Sequence, residues 1–228
     1  MLKLSVIIPC FNEQTTIEEI VRQVQATGRA EEIIVVDDGS TDGTQQVLSR
    51  LDGHGAVKVV LHAHNQGKGA AVRTGLQHAT GDVMLVQDAD LEYDPRDYHA
   101  LLQPIEEGKA KAVYGSRFLG GPRRTMFFWH MLGNRFLTLV TNILFDTILS
   151  DMETCYKVFT ADIAANLNLK SPRWGFDPEI TAKILRQGVR IYEVPIRYAG
   201  REFEEGKKIS WRDGFTVLWT LIKYRLIH

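Results

Sequence analysis

Residues 86–95, VQDADLEYDP, end an apolar run in carboxylates at alternate positions: Asp88, Asp90 and Glu92. In extended backbone, alternate side chains project to the same side. Three like charges there repel one another unless protons or a cation neutralise them. Hard divalent ions such as Mg²⁺ or Mn²⁺ prefer carboxylate oxygens and commonly share their coordination with ligand phosphates. The competing explanation is an acidic turn that caps a helix after Pro95. It suits Asp94 well, but not Asp88, which directly follows the apolar run.

Three further polar groups each follow an apolar run: Pro9-Cys10-Phe11-Asn12-Glu13, Asp37-Asp38-Gly39-Ser40, and Asn65-Gln66-Gly67-Lys68-Gly69-Ala70. Any one of them would mean little, because Asp-Gly is an ordinary turn signal. Four in succession point to a shared site. Gly67-Lys68-Gly69 places mobile backbone and a cation at a helix start, where phosphate is readily held. A GxxxxGKS loop is absent, as is a GxGxxG between the first strand and helix. That argues against a P-loop NTPase and a standard dinucleotide-binding enzyme.

The elements that must position these groups alternate. β-branched runs at 4–9, 32–38, 57–62 and 82–87 predict strands. Helices are predicted over 14–27, 41–51 (with Ser40, Thr41 or Asp42 as N-cap) and 68–79. Near-continuous apolar strands alternating with helices imply an α/β fold with a mostly parallel sheet covered on both faces. Right-handed crossovers then bring the strand C-termini to one edge, where open α/β sheets bind ligands. Beyond Pro95 the sequence predicts helices at 96–107, 125–149, 161–169, 177–187 and 210–227, with strands at 111–118, 155–160 and 189–198. A single domain is expected, with a nucleotide-binding half (1–118) and an acceptor-side half (119–228).

The chain has 228 residues and a formal net charge of −1. Residues 1–100 hold 8 Lys and Arg against 15 Asp and Glu; residues 101–228 hold 19 against 13. This asymmetry suggests metal chemistry in the first half and anion or membrane contact in the second. Two cysteines, Cys10 and Cys155, without CxxC spacing, fit reduced thiols in a cytoplasmic protein. No stretch reaches the roughly 18 uninterrupted apolar residues of a spanning helix. The expected location is peripheral, on the cytoplasmic face of a membrane.

SVIIPCFNE, IIVVDDGSTDGT, NQGKGAAVRTG, GDVMLVQDADLEYDP and YGSRF occur in the order and spacing of family 2 inverting glycosyltransferases with a GT-A fold. The resemblance runs on through SDMETCYKVF, FDPEITAKI and VPIRYAGREFEEGKKISW. Within the family, the chain most resembles the polyprenyl- (dolichyl-) phosphate mannosyltransferase and glucosyltransferase branch. By that resemblance Pro9, Asn12, Glu13, Asp38 and Lys68 would hold the nucleotide, with Asp38 at the base. Asp88 and Asp90 would form the DXD motif that brings Mg²⁺ or Mn²⁺ to the donor diphosphate. Glu92 stands where some members carry a third ligand, often Gln. Arg117, Arg201, Lys207 and Lys208 match cations that meet donor and acceptor phosphates. SDMETCYKVF departs from the D-x-x-S-G-F form of many relatives, which weakens inference from it about sugar or acceptor.

The resemblance thus implies a metal-dependent transfer of a hexose from a GDP- or UDP-sugar to a polyprenyl phosphate. A lipid phosphate is already ionised at neutral pH and needs positioning cations rather than a base. A saccharide hydroxyl, the alternative acceptor, needs a carboxylate to take its proton, with Asp151 first in line and Glu153 second. Asp177 and Glu179, at a helix start, suit either capping or support of the site. A sugar nucleotidyltransferase and a non-catalytic nucleotide-sugar-binding protein are the remaining alternatives. The first lacks its glycine-rich signature, and the acidic triplet argues against the second.

Overall fold

A computed structural model describes residues 2–125, 127–173, 175–200 and 213–226. The first apolar run forms β1 (Leu4–Cys10), buried along its whole length. It is followed by α1 (Ile17–Ala26), β2 (Ala30–Asp37), α2 (Thr44–Leu51), β3 (Val57–Leu61), α3 (Lys68–His78) and β4 (Val83–Val86). A 3-10 turn at Pro95–Asp97 leads into α4 (Tyr98–Glu106), then β5 (Ala112–Ser116) and α5 (Phe128–Phe145). The remaining elements are β6 (Lys157–Thr160), α6 (Ala161–Asn166), α7 (Phe176–Arg186), β7 (Ile191–Pro195) and α8 (Asp213–Leu226).

The strands make one sheet in the order β3-β2-β1-β4-β6-β5-β7. β1 pairs in parallel with β2 and β4, β2 with β3, and β5 with β7. Only β6 is antiparallel, to both of its neighbours. Side chains alternate across β2. Ile33 and Val35 join the main core with Ile17, Ile20, Val21 and Val24 of α1, whereas Ile34 and Val36 pack against Ala71 of α3 on the other face. The α1 residues recur at helical spacing, and fully burying each contributes about 1.5–3 kcal/mol.

Two ends depart from the sequence expectation for local reasons. Helix α2 starts at Thr44, after Gly43 at φ 103°, and Asp42 Oδ1 accepts the Thr44 N–H at 3.0 Å. Helix α5 was expected to run to 149 but stops at Asp146, which turns left-handed at φ 50°. There Asn142 holds Leu149 from both sides, donating to its carbonyl at 2.9 Å and accepting its N–H at 2.8 Å.

The direction of β6 positions the site. It runs against β4 and β5, so its N-terminal end lies at the edge where β1, β2, β4, β5 and β7 end. Residues 151–156 therefore meet 87–92, 117 and 196–198 at that edge.

Candidate active site

One cavity of about 1070 Å³ opens at this edge. One side is lined by Pro9, Glu13, Asp38 and Lys68, and its middle by Asp88, Asp90 and Glu92. Arg117 and Glu153 lie across from them. Sequence positions from four strand ends are thus brought together. Asn12 and Asp151 are not in the wall; Arg201, Lys207 and Lys208 lie outside the described residues.

Asn12 shapes the turn after β1. At φ 55° it is left-handed, its N–H donates to Ser40 Oγ at 2.9 Å, and its Oδ1 accepts from the Thr41 N–H at 2.8 Å. Asp38 is 3% exposed. Its carboxylate meets His62 Nδ1 at 2.8 Å and accepts the N–H groups of Gln66 and Gly67 at 3.0 and 2.6 Å. The loop before α3 is therefore hung from the end of β2. Gly67 adopts φ 99°, and a Cβ there would fall 2.4 Å from the Pro172 carbonyl, so the loop needs glycine.

Lys68, first residue of α3, sets its Nζ 2.6 Å from Asp88 Oδ1. Burial alone would raise the Asp88 carboxyl, but the Lys68 ammonium outweighs it and the group titrates below the ordinary carboxylate range. Cys155 Sγ lies 3.7 Å from the Val86 carbonyl, and its thiol also bonds Asp88. Both cysteines are buried and neither forms a disulfide. Asp90 accepts the Glu92 N–H at 3.0 Å, and Glu92 accepts the Tyr198 hydroxyl at 2.8 Å.

Could these residues hold a metal? Among the described residues no three His, Cys, Asp or Glu side chains converge closely enough to cage one. Mg²⁺ rarely needs such a cage; one or two carboxylates and the substrate's phosphates commonly suffice. Asp88 and Asp90, hard oxygen donors on one wall, fit that arrangement.

Across the cavity, Arg117 Nε and Nη2 donate to the two oxygens of Asp151, both at 2.7 Å. Asp151 also accepts the Arg117 N–H at 3.0 Å and Asn134 Nδ2 at 3.0 Å, and is 0% exposed. Burial disfavours the Arg117 charge, but Asp151 more than offsets this and holds its pKa well above the usual guanidinium value. A proton acceptor must reach its substrate. Asp151 instead lies behind Arg117 and fixes its plane.

Three features were missed or undervalued in the sequence. Glu153 lines the cavity with its Oε1 buried and without a hydrogen-bond partner. Lys157, fully buried, pairs at 2.6 Å with Asp177, which lines the cavity. Tyr93 and Tyr198 stack at 5.2 Å, with Tyr198 5.2 Å from the Arg117 guanidinium carbon. The sequence ranked Asp151 first and Glu153 second as candidate bases, whereas it is Glu153 that lines the cavity. Asp177 and Glu179 are not N-caps: Glu179 accepts the N–H groups of Lys170 and Ser171 at 2.8 and 2.6 Å.

The far wall is apolar. Trp129, Phe136 and Leu137 of α5 and Phe215 and Leu218 of α8 complete it. The same helices expose outer stripes, Trp129, Leu132, Phe136, Leu139 and Ile143 on α5 and Phe215, Trp219, Ile222 and Leu226 on α8. No helix among the described residues is long and apolar enough to cross a membrane.

Comparison with known proteins places the family and the fold. Glycosyl transferase family 2 matches residues 5–167. The chain is 31% identical to a dolichol-phosphate mannosyltransferase of Pyrococcus furiosus over 90% of its own length and 59% of that protein. It is 27% identical to the glycosyltransferase AglJ of Haloferax volcanii over 86% of its length and 63% of that protein. It therefore spans about three-fifths of these two relatives. Its structure superposes at a TM-score of 0.76, with 20% identity, on a glucosyl-3-phosphoglycerate synthase of Mycobacterium tuberculosis. That structure contains Mn²⁺, UDP and glucosyl-3-phosphoglycerate, and the match covers 100% of this chain and 81% of the synthase. The chain belongs to glycosyl transferase family 2 and is a glycosyltransferase with a GT-A fold.

Proposed function

We propose that the enzyme transfers a hexose from a GDP- or UDP-sugar to a polyprenyl phosphate, working as a peripheral protein at a membrane surface. The observation that carries this is the juxtaposition of Arg117 with an apolar wall that continues onto the exposed stripes of α5 and α8. A lipid phosphate has both parts, an anion for the guanidinium and a chain for the wall. Contiguous exposed apolar surface on a protein marks an interaction site.

In this assignment Pro9, Asn12, Glu13 and Asp38 shape the nucleotide side, and Lys68 meets the diphosphate. Asp88 and Asp90 would hold Mg²⁺ or Mn²⁺, with Glu92 beside them. The ion, when bound, stabilises the charge that grows on the departing nucleoside diphosphate. Arg117, held in one orientation by Asp151, presents the acceptor phosphate to the sugar from the face opposite the leaving group, so the anomeric centre inverts. Arg201, Lys207 and Lys208 are assigned to the acceptor phosphate as well. An ionised phosphate oxygen needs no base.

The P. furiosus relative carries its acceptor class in its name. The M. tuberculosis neighbour has been solved with phosphoglyceric acid, another phosphate-bearing acceptor, and with UDP-glucose. A small soluble phosphate is thus the second possibility, but it would leave the apolar wall without a role. The test is transfer from radiolabelled GDP- and UDP-hexoses, with Mn²⁺, to geranyl phosphate, geraniol and phosphoglycerate in parallel. Label should pass to geranyl phosphate into an organic-extractable product. Transfer to geraniol or to phosphoglycerate alone would overturn the assignment.

A further inference from the structure

Glu153 lies on the acceptor side of the cavity, in the short segment between Asp151 and β6. The two cations that act most strongly on it already have carboxylate partners. Arg117, after β5, is held by Asp151 at 2.7 Å, and Lys157 of β6 by Asp177 of α7 at 2.6 Å. Asn134 of α5 donates to Asp151 at 3.0 Å, not to Glu153. His130 of α5, Arg173 before α7, and the Lys68–Asp88 pair also line the cavity. Among these groups Glu153 Oε1 finds no donor. A buried carboxylate in that position is costly, and a buried carboxylic acid much less so. Burial, with Asp177 adding to it, pushes the Glu153 carboxyl up to about 8, although Lys157 and Arg117 pull the other way.

We propose that Glu153, as its neutral acid, donates a hydrogen bond to the acceptor's phosphate beside Arg117. This rests on the phosphate-acceptor assignment and adds a second contact to it. A carboxyl O–H is a donor, whereas a carboxylate only accepts. Ionised, Glu153 would face the phosphate with like charge and an acceptor where a donor is needed. Protonated, it supplies the donor without adding a cation that would bind any anion. The cavity thus sets one removable proton beside the fixed charge of Arg117. A hydroxyl acceptor would require the reverse, an ionised Glu153 that takes the proton.

Calorimetric titration of the full chain with geranyl monophosphate in detergent, from about pH 7.5 to 9.5, tests this. Phosphate monoesters complete their second ionisation below that range, with a pKa of about 6. Wild-type affinity should fall with pH, approaching about tenfold per unit above the Glu153 transition. Glu153→Gln keeps a donor at the same place. It should bind within about threefold of wild type at the lower pH and show a flat profile, while Glu153→Ala should be about tenfold weaker and flat. A Gln variant with the wild-type pH slope, or one as weak as the Ala variant, would overturn the proposal while leaving the phosphate acceptor in place. A wild-type chain that binds no geranyl phosphate but glycosylates geraniol or a saccharide would overturn both; the Gln variant should then lose turnover. Thermal melts show whether each variant is folded.

Discussion

Lys68 holds its ammonium 2.6 Å from Asp88 Oδ1, at the strand end where a metal-bridged diphosphate would sit. The pair neutralises part of the acidic triplet, so the fold does not depend on the metal to relieve repulsion there. Metal and folding are therefore separable. Asp88→Asn or Asp90→Asn should cut transfer by about a hundred- to a thousandfold, the scale for losing one stabiliser of a charged transition state. The melting curve should hardly change. EDTA should abolish transfer and Mn²⁺ restore it; full activity in EDTA would dismiss the metal.

The Arg117–Asp151 pair carries stability as well as function. Asp151→Ala leaves a guanidinium buried without its partner, a loss of about 3–5 kcal/mol in urea unfolding. The double change Arg117→Met with Asp151→Leu removes both charges, and should recover most of that stability but none of the transfer. Recovery of transfer in the double variant would remove Arg117 from the reaction.

Asp38 reaches the nucleotide side partly through the loop it suspends. Asp38→Ala releases the Gln66 and Gly67 N–H groups and His62. Nucleoside diphosphate affinity should fall by about ten- to a hundredfold, or about 1.5–3 kcal/mol for a hydrogen bond to a charged group. Amide exchange at Gly67 should accelerate at the same time. Unchanged affinity by calorimetry would move the base site elsewhere.

Glu153 gives stability a pH dependence of definite sign. Its carboxyl moves from an ordinary 4.5 to about 8 in the folded chain. Between those values the unfolded chain has released a proton that the folded chain still holds. The group therefore lowers stability progressively as pH rises from about 4.5 to about 8. Glu153→Gln should melt a few degrees above wild type at about pH 8, a shift of the size a kcal/mol or so produces in a chain of this length. The gap should close near pH 4.5. An equal offset at both pH values would exclude this titration.

Trp129 and Trp219 are 76% and 66% exposed on neighbouring helices. In co-sedimentation the protein should bind vesicles more strongly with anionic lipid and less with salt. Replacing both tryptophans by Glu should reduce binding at least about tenfold, since each would lose its apolar burial. Failure to bind any vesicle would detach the enzyme from the membrane.

The parallel half of the sheet was readable in the sequence because β1, β4 and the later part of β2 are buried and write themselves as apolar runs, while β3, at the sheet edge, is only partly buried. That half delivered Pro9, Glu13, Asp38, Lys68, Asp88 and Asp90 to one edge. The strand around 157–160 was readable too, but not its direction, because a four-residue strand looks the same in either sense. Direction decides which end of it meets the site. Asp151 and Glu153, two residues apart, could not be told apart either: Asp151 grips the Arg117 guanidinium from behind the wall, and Glu153 lines the cavity itself. Lys157 and Asp177, 20 residues apart, give no local sign of pairing.

A short antiparallel strand between parallel ones has a consequence for redesign. The residues leading into β6 touch both substrates' territory, through Cys155 against Val86 and Asp88, and through Asp151 against Arg117. Changes there cannot retune acceptor preference without disturbing donor chemistry. Helix α5 reaches that segment too, through Asn134 against Asp151, but its Phe136 and Leu137, with Leu218 of α8, belong to the apolar wall. If the acceptor is the lipid phosphate proposed above, substitutions at Phe136, Leu137 and Leu218 should change its preferred chain length and branching while leaving the choice of sugar unchanged.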